Sequence, residues 1–127
     1  GFDVHFVGEI SCPPIKEEDL IILGSGSGTT KSLIVMGENA KDVGARIATV
    51  TMFPEHTIGQ MADVIVTVPG STLKKAEGEK NLAESVQPMG NLFEQMSWLV
   101  YDSTIMVLMD ELHQTSEEMM GRHTNLE

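Results

Sequence analysis

The sequence predicts an α/β fold, a three-layer α/β/α sandwich on a mostly parallel sheet. Three observations carry that expectation. Leu20-Ile21-Ile22-Leu23 is a short continuous apolar run that stops at Gly24, the pattern of a strand buried on both faces. Two further short apolar runs, at 47–52 and 63–68, follow it, with a helical pattern before each. Alternation in that order implies parallel strands joined by right-handed crossovers, with helices on both faces of the sheet.

Asp3 to Val7 begins as an extended apolar segment, and Glu18-Asp19 leads into the first strand. From Thr29 to Val43 the residues Leu33, Met36, Ala40 and Val43 fall at spacings of three, four and three, which makes one apolar helix face, and Gly44 follows as a C-terminal cap. Ile47 to Met52 is the second strand, Pro54 to Met61 a turn with one or two helical turns, and Asp63 to Val68 the third strand, ended by Pro69-Gly70. Residues 70–86 are polar and mixed in charge, the composition of a solvated loop. Pro88 opens a long helix expected at 89–113. Leu92, Phe93, Met96, Leu99, Val100, Met106 and Val107 form one broad stripe on it, and Trp98, Tyr101, Ile105, Leu108 and Leu112 lie largely outside that stripe. A helix apolar nearly all round buries two faces, one against its sheet and the other against a second subunit, so an oligomer is expected. Thr115-Ser116-Glu117-Glu118 is a capping box that starts a short terminal helix.

The 127 residues fit one domain, 1–127, large enough to bury a core. A composition of 41% hydrophobic and 21% charged residues excludes disorder and offers no apolar stretch long enough to span a bilayer. With a formal net charge of -11 and no basic run to track a phosphate backbone, nucleic acid is not an expected partner. Cys12 stands alone, which rules out an internal disulfide and a cysteine zinc site. A reducing compartment suits it, and no targeting segment is visible at Gly1-Phe2-Asp3-Val4-His5, so a cytoplasmic location is expected. The nine methionines suit adaptable core packing.

The most informative segment is Gly24-Ser25-Gly26-Ser27-Gly28-Thr29-Thr30-Lys31, between the end of a buried strand and the start of a helix. Ligands of open α/β sheets bind at such points. Glycines let successive backbone N–H groups turn toward one anion, Ser25, Ser27, Thr29 and Thr30 add hydroxyls, and the helix adds its positive end. Two better-known phosphate loops do not fit, because Gly28 is followed by Thr29-Thr30 rather than by Lys and Ser or Thr, and the dinucleotide fingerprint requires glycine at 29. Rich in hydroxyls and without a metal-ligand set, the loop suits a single phosphate on a small molecule, with no metal and no cofactor.

Ser25-Gly26-Ser27-Gly28-Thr29-Thr30 resembles the Ser-x-Ser-Gly-x-Thr phosphate loop of SIS (sugar isomerase) domains, which have a flavodoxin-like fold. Val7-Gly8-Glu9, Gln87-Pro88-Met89-Gly90-Asn91-Leu92-Phe93-Glu94-Gln95 and Gly121-Arg122-His123-Thr124-Asn125-Leu126-Glu127 narrow the resemblance to the 6-phospho-3-hexuloisomerases. It covers nearly the whole chain. It implies interconversion of 3-hexulose 6-phosphate and fructose 6-phosphate through an enediolate, in formaldehyde fixation by the ribulose monophosphate route, by a metal-free homotetramer. SIS domains ordinarily begin with a helix, a strand bearing a Gly-x-Gly-x-Ser-type loop and a second helix upstream of the present Gly1, so the domain is expected to be N-terminally incomplete.

Moving a carbonyl between adjacent carbons requires a base, a group that stabilises the enediolate and a grip on the phosphate. Glu94 is the candidate base, one turn into the long helix beside Leu92, Phe93 and Met96, where partial burial would raise its carboxyl pKa. It also suits a first-turn glutamate that complements the helix dipole. His123 is the candidate proton shuttle, reaching in cis or in trans, while His56 and Arg122 are candidate substrate-binding residues. Ser25, Gly26, Ser27, Gly28, Thr29 and Thr30 are the expected phosphate ligands. A non-catalytic sugar-phosphate-binding SIS module, a purely structural oligomer and an aldose–ketose isomerase such as an arabinose 5-phosphate isomerase are the rival readings.

Overall fold

A computed structural model of the chain describes residues 1–75 and 77–126. Ala76 of the polar segment and Glu127 of the terminal motif lie outside the described residues. The elements are β1 (Leu20–Gly24), α1 (Lys31–Asp42), β2 (Arg46–Thr51), α2 (Thr57–Met61), β3 (Val64–Thr67), α3 (Asn91–Glu111) and α4 (Ser116–Met120). The three strands form a parallel sheet in the order β1-β2-β3. Leu20 to Gly24 stand opposite Arg46 to Val50, and Ala48 to Thr51 opposite Val64 to Thr67.

Because side chains alternate along a strand, this register gives the sheet two faces with different cover. On one face Leu23 and Ile47 meet Ala40, Ala45 and Ile58, with Leu33, Ile34 and Met61 packed around them, so α1 and α2 close that side. At the other face Val50, Met52, Phe53, Val68 and Phe93 form a second cluster joined by Met96, Val100 and Tyr101 from the first three turns of α3. Helices therefore lie on both sides of the sheet, as its alternating pattern requires. Burying a ring such as Phe93 stabilises by about 2 kcal/mol, and here it fastens the start of α3 to the end of the sheet that carries the glycine-rich loop. The N-terminal half of the same face is bare: Leu20 and Ile22 are 55% and 57% exposed. Trp98 of α3 is 69% exposed, with Leu99, Met106 and Val107 also out in solvent. Both the sheet face and α3 thus leave large apolar side chains uncovered.

Boundaries differ from expectation in ways that local chemistry explains. The first helix begins at Lys31 rather than 29 because Thr30 takes the extended N-cap conformation and its hydroxyl turns to Ser25 instead of capping the helix. The long helix begins at Asn91, not 89: Met89 holds a left-handed φ of 57°, which no helical residue adopts, and Gly90 becomes the N-cap. Gly44 has the expected left-handed φ, 82°, just past α1. At Thr115 both halves of the capping box form, with Glu118 N–H donating to the Thr115 hydroxyl and Thr115 N–H donating to the Glu118 carboxylate. Asp3 to Val7 forms no strand.

Candidate active site

The glycine-rich loop leaves the carboxyl end of β1, the point at which open parallel sheets bind ligands. Its outer edge is pinned. The carbonyls of Gly26, Ser27 and Gly28 accept from the Met52 N–H (3.2 Å), the His56 ring nitrogen Nδ1 (2.7 Å) and the Ile58 N–H (3.0 Å). Three successive carbonyls are thus drawn toward residues 52–58, and the hydroxyl side of the loop is left to form a cradle. There Ser25 Oγ and Thr30 Oγ1 lie 3.0 Å apart, Gly28 N–H donates to Ser25 Oγ, and the Thr29 hydroxyl donates to Ser27 Oγ at 3.2 Å. Ser25 and Ser27 are buried, whereas Thr29 and Thr30 are exposed at the mouth. Among the described residues nothing accepts from the N–H of Gly26 or Ser27. Buried hydroxyls, uncommitted N–H groups and a helix N-terminus are the features from which anion sites are built.

Two glycines are fixed by geometry. Gly28 has φ 64°, and a Cβ there would stand 2.9 Å from the His56 Cβ and 3.2 Å from the Phe53 carbonyl oxygen. Gly26 has Phe93 on one side, 3.0 Å from where a Cβ would be, and Met52 on the other. The loop is therefore clamped between the 52–58 turn and the first turn of α3.

His56 sits against this loop. Its ring stacks on Phe53, its Nδ1 meets the Ser27 carbonyl and its Nε2 meets Glu79 Oε1 at 2.6 Å. The hydrogen bond to the Ser27 carbonyl holds the imidazole above its usual pKa, and Glu79 and Glu55 act in the same direction against desolvation. Glu55, His56 and Glu79 bring three ligand-type atoms within 4.8 Å of one another. Both ring nitrogens of His56 lie within hydrogen-bond distance of oxygen partners, the Ser27 carbonyl and the Glu79 carboxylate.

The other sequence candidates fall in two places. Glu94 follows Phe93 in the first turn of α3, on the segment that abuts the loop, but it is exposed, and the partial burial expected of it is absent. The reason is the helix phase: Phe93 and Ser97 face inward, which turns position 94 outward. Arg122 and His123 lie at the far end of α3. That helix of 21 residues rises about 30 Å, and Arg122 lines a shallow groove with Leu108, Met109 and Leu112 at its C-terminal end. Arg122 donates to Gln114 Oε1 and His123 Nδ1 lies 3.0 Å from the Thr124 carbonyl, so neither is brought to the cradle of the same chain.

Residues 4–109 match the SIS domain family. Over all 127 residues the chain is 46% identical to the 3-hexulose-6-phosphate isomerase of Bacillus subtilis, spanning 67% of that protein. It is 35% identical over its full length to the 3-hexulose-6-phosphate isomerase of Mycobacterium gastri, spanning 62% of that one. This chain belongs to the 3-hexulose-6-phosphate isomerase family of SIS domains. Its fold is similar to the crystal structure of a hypothetical protein from Methanococcus jannaschii, from which a molecular function of 3-hexulose-6-phosphate isomerase was inferred. That similarity has a TM-score of 0.82 at 30% identity and covers 100% of this chain and 65% of the other. The chain spans about two thirds of the length of the curated relatives it matches.

One residue of the site escaped the sequence reading altogether. Glu79 lies in the polar 70–86 segment, 23 residues from His56, and no spacing rule joins the two. The expectation of a freely solvated loop needs correction here: Gly70 is buried between Met52 and Phe93, Ala83 N–H donates to the Gly70 carbonyl, and the Glu79 carboxylate turns inward. Its charge pattern describes the solvent-facing majority and is blind to the single side chain that folds back.

Proposed function

We propose that the protein interconverts 3-hexulose 6-phosphate and fructose 6-phosphate. The observation that carries this reading is the pinned, hydroxyl-lined loop at the end of β1, in a chain 46% identical along its whole length to a 3-hexulose-6-phosphate isomerase. Ser25, Gly26, Ser27, Gly28, Thr29 and Thr30 hold the phosphate through hydroxyls and backbone N–H groups. With the phosphate fixed, the carbonyl end of the sugar extends from the cradle toward the first turn of α3, where Glu94 removes the proton from the carbon next to the carbonyl. Reprotonation at the neighbouring carbon moves the carbonyl by one position. His123, remote from the cradle of its own chain, serves the site of a neighbouring subunit and moves protons between the two oxygens. Arg122 accompanies it. No cofactor is required by this chemistry, since the electron pair stays within the sugar and the isomerisation is redox-neutral overall.

The exposed apolar face of α3 is the subunit contact that such a site in trans demands, and the assembly is a homotetramer. Sedimentation at micromolar protein is expected to show no monomer; a monomer at every concentration would remove the in-trans role of His123. Among the described residues no helix is long and apolar enough to cross a membrane. A cytoplasmic place in the ribulose monophosphate route of formaldehyde fixation suits the substrate pair.

The test is direct. Fructose 6-phosphate incubated with the protein in deuterated water should yield 3-hexulose 6-phosphate by NMR and gain deuterium at C3, while arabinose 5-phosphate in a parallel sample stays unchanged. Conversion of arabinose 5-phosphate alone would favour an aldose–ketose isomerase, and binding of both sugars without conversion would favour a sensor. Ser27→Ala removes a hydroxyl that contacts phosphate equally in ground and transition states, so KM should rise roughly tenfold with kcat little changed. A loss confined to kcat would contradict that role.

A further inference from the structure

The cradle residues 25–30 carry no basic side chain, yet the loop is read as holding a phosphate dianion. Lys31, the first residue of α1, is exposed, so a sheltered positive charge beside the loop has to come from elsewhere. His56 Nδ1 is 2.7 Å from the Ser27 carbonyl oxygen and His56 Nε2 is 2.6 Å from the Glu79 carboxylate. The Ser27 carbonyl can only accept, and so can the Glu79 carboxylate when it is ionised. A neutral imidazole has one N–H and would leave a lone pair facing an oxygen, so beside an ionised Glu79 this arrangement favours the doubly protonated ring. The side chains of His56 and Glu79 are only 15% and 24% exposed, which limits screening of the pair by solvent.

We propose that Glu79 is a positioning residue that keeps His56 as an imidazolium latched to the Ser27 carbonyl, supplying the phosphate cradle with its cation and tying the 70–86 segment to the site. The inference rests on the cradle being the phosphate site. It goes further than that reading in naming the source of charge and the residue that maintains it. Of the three carbonyls that shape the loop, two are held by backbone N–H groups and cannot be switched. The middle one is held by a titratable side chain, so the grip on the anion follows pH. The charged groups facing His56 are Glu55 from its own turn and Glu79 from the 70–86 segment; residues 25–30, packed on its other side, add none. Both carboxylates favour the imidazolium. Protonated His56 belongs to the folded, latched state, so its contribution is complete below the ordinary histidine value of 6.5 and is lost as pH rises through the higher value of the folded protein. Above that point the latch opens, the 70–86 segment loses its inward contact, and anion affinity falls.

Sulfate is the probe that tests this, because it stays a dianion from about pH 5.5 to about pH 8.5 while histidine titrates across that range. Its dissociation constant would be measured by calorimetry across that range, with the His56 ring nitrogens followed by NMR. The unmodified protein is expected to bind sulfate about tenfold more weakly at the alkaline end, with the midpoint at the His56 titration. Glu79→Gln should weaken binding at the acid end and move the midpoint to lower pH. His56→Asn, which keeps a donor for the Ser27 carbonyl without the charge, should bind weakly at every pH. A merely structural Glu79 would change thermal stability and leave the pH profile in place, which would overturn the proposal, as would a His56→Asn protein that binds sulfate as tightly as the parent. Fructose 6-phosphate turnover by the unmodified protein is measured alongside. Loss of the pH effect with turnover intact rejects the latch alone, whereas absence of turnover rejects the isomerase.

Discussion

Replacing Glu94 with Gln is expected to lower turnover of fructose 6-phosphate by about two orders of magnitude or more while leaving sulfate and sugar-phosphate affinity close to normal. The substitution keeps shape and hydrogen-bonding capacity but removes the proton acceptor. Its exposure on α3 means that no packing is disturbed, so the thermal midpoint should hold, and the comparison isolates chemistry from folding. A first-turn glutamate that only complements the helix dipole is worth roughly 0.3–1 kcal/mol of stability and nothing in turnover. Turnover and stability therefore respond in opposite ways under the two roles. Steady-state kinetics with a melting curve on the same preparation separates them, and near-normal turnover would take Glu94 out of the mechanism.

Gly28→Ala is the second large effect, and it acts through binding. The backbone at 28 has φ 64°, which costs a residue with a side chain about 1–2 kcal/mol. The new methyl group would also stand 2.9 Å from the His56 Cβ and 3.2 Å from the Phe53 carbonyl oxygen, neither of which can yield without moving the turn that pins the loop. Relief of the clash pushes His56 away from Ser27 and opens the cradle. Sugar-phosphate affinity is expected to fall about tenfold or more, and the melting temperature by roughly 3–10 °C. Calorimetry and thermal melting check both. Unchanged affinity in a protein of lowered stability would mean that the loop does not grip the ligand.

Much of this architecture was legible in the sequence because short-range rules decide it. The run Leu20 to Leu23 ending at glycine, the three-four-three spacing of Leu33, Met36, Ala40 and Val43, and the Thr115 to Glu118 box each specify a local structure with few alternatives, and β1, α1 and α4 form there. The loop between β1 and α1 was legible for the same reason: its glycines and hydroxyls are contiguous. What the sequence obscured depends on long-range placement. Pro88 marks a suitable first helical residue, but the left-handed Met89 delays the helix, a conformation set by how the preceding segment arrives. The inward turn of Glu79 and the outward phase of Glu94 depend on how the 70–86 segment and α3 dock on Met52 and Phe93. His123 lies in a conspicuous motif, but whether it would serve in cis or in trans was not legible, because that depends on the length of α3, which carries it a helix away from the loop of its own chain.

Where the phosphate binds decides between these roles. A crystal structure of the protein with fructose 6-phosphate measures this directly. It should place the phosphate group within about 2.7–3.2 Å of the Ser25, Ser27 and Thr30 hydroxyls and of N–H groups in residues 26–28, with the sugar running toward the start of α3. Fructose 6-phosphate bound elsewhere, with the loop free of phosphate, would contradict that placement.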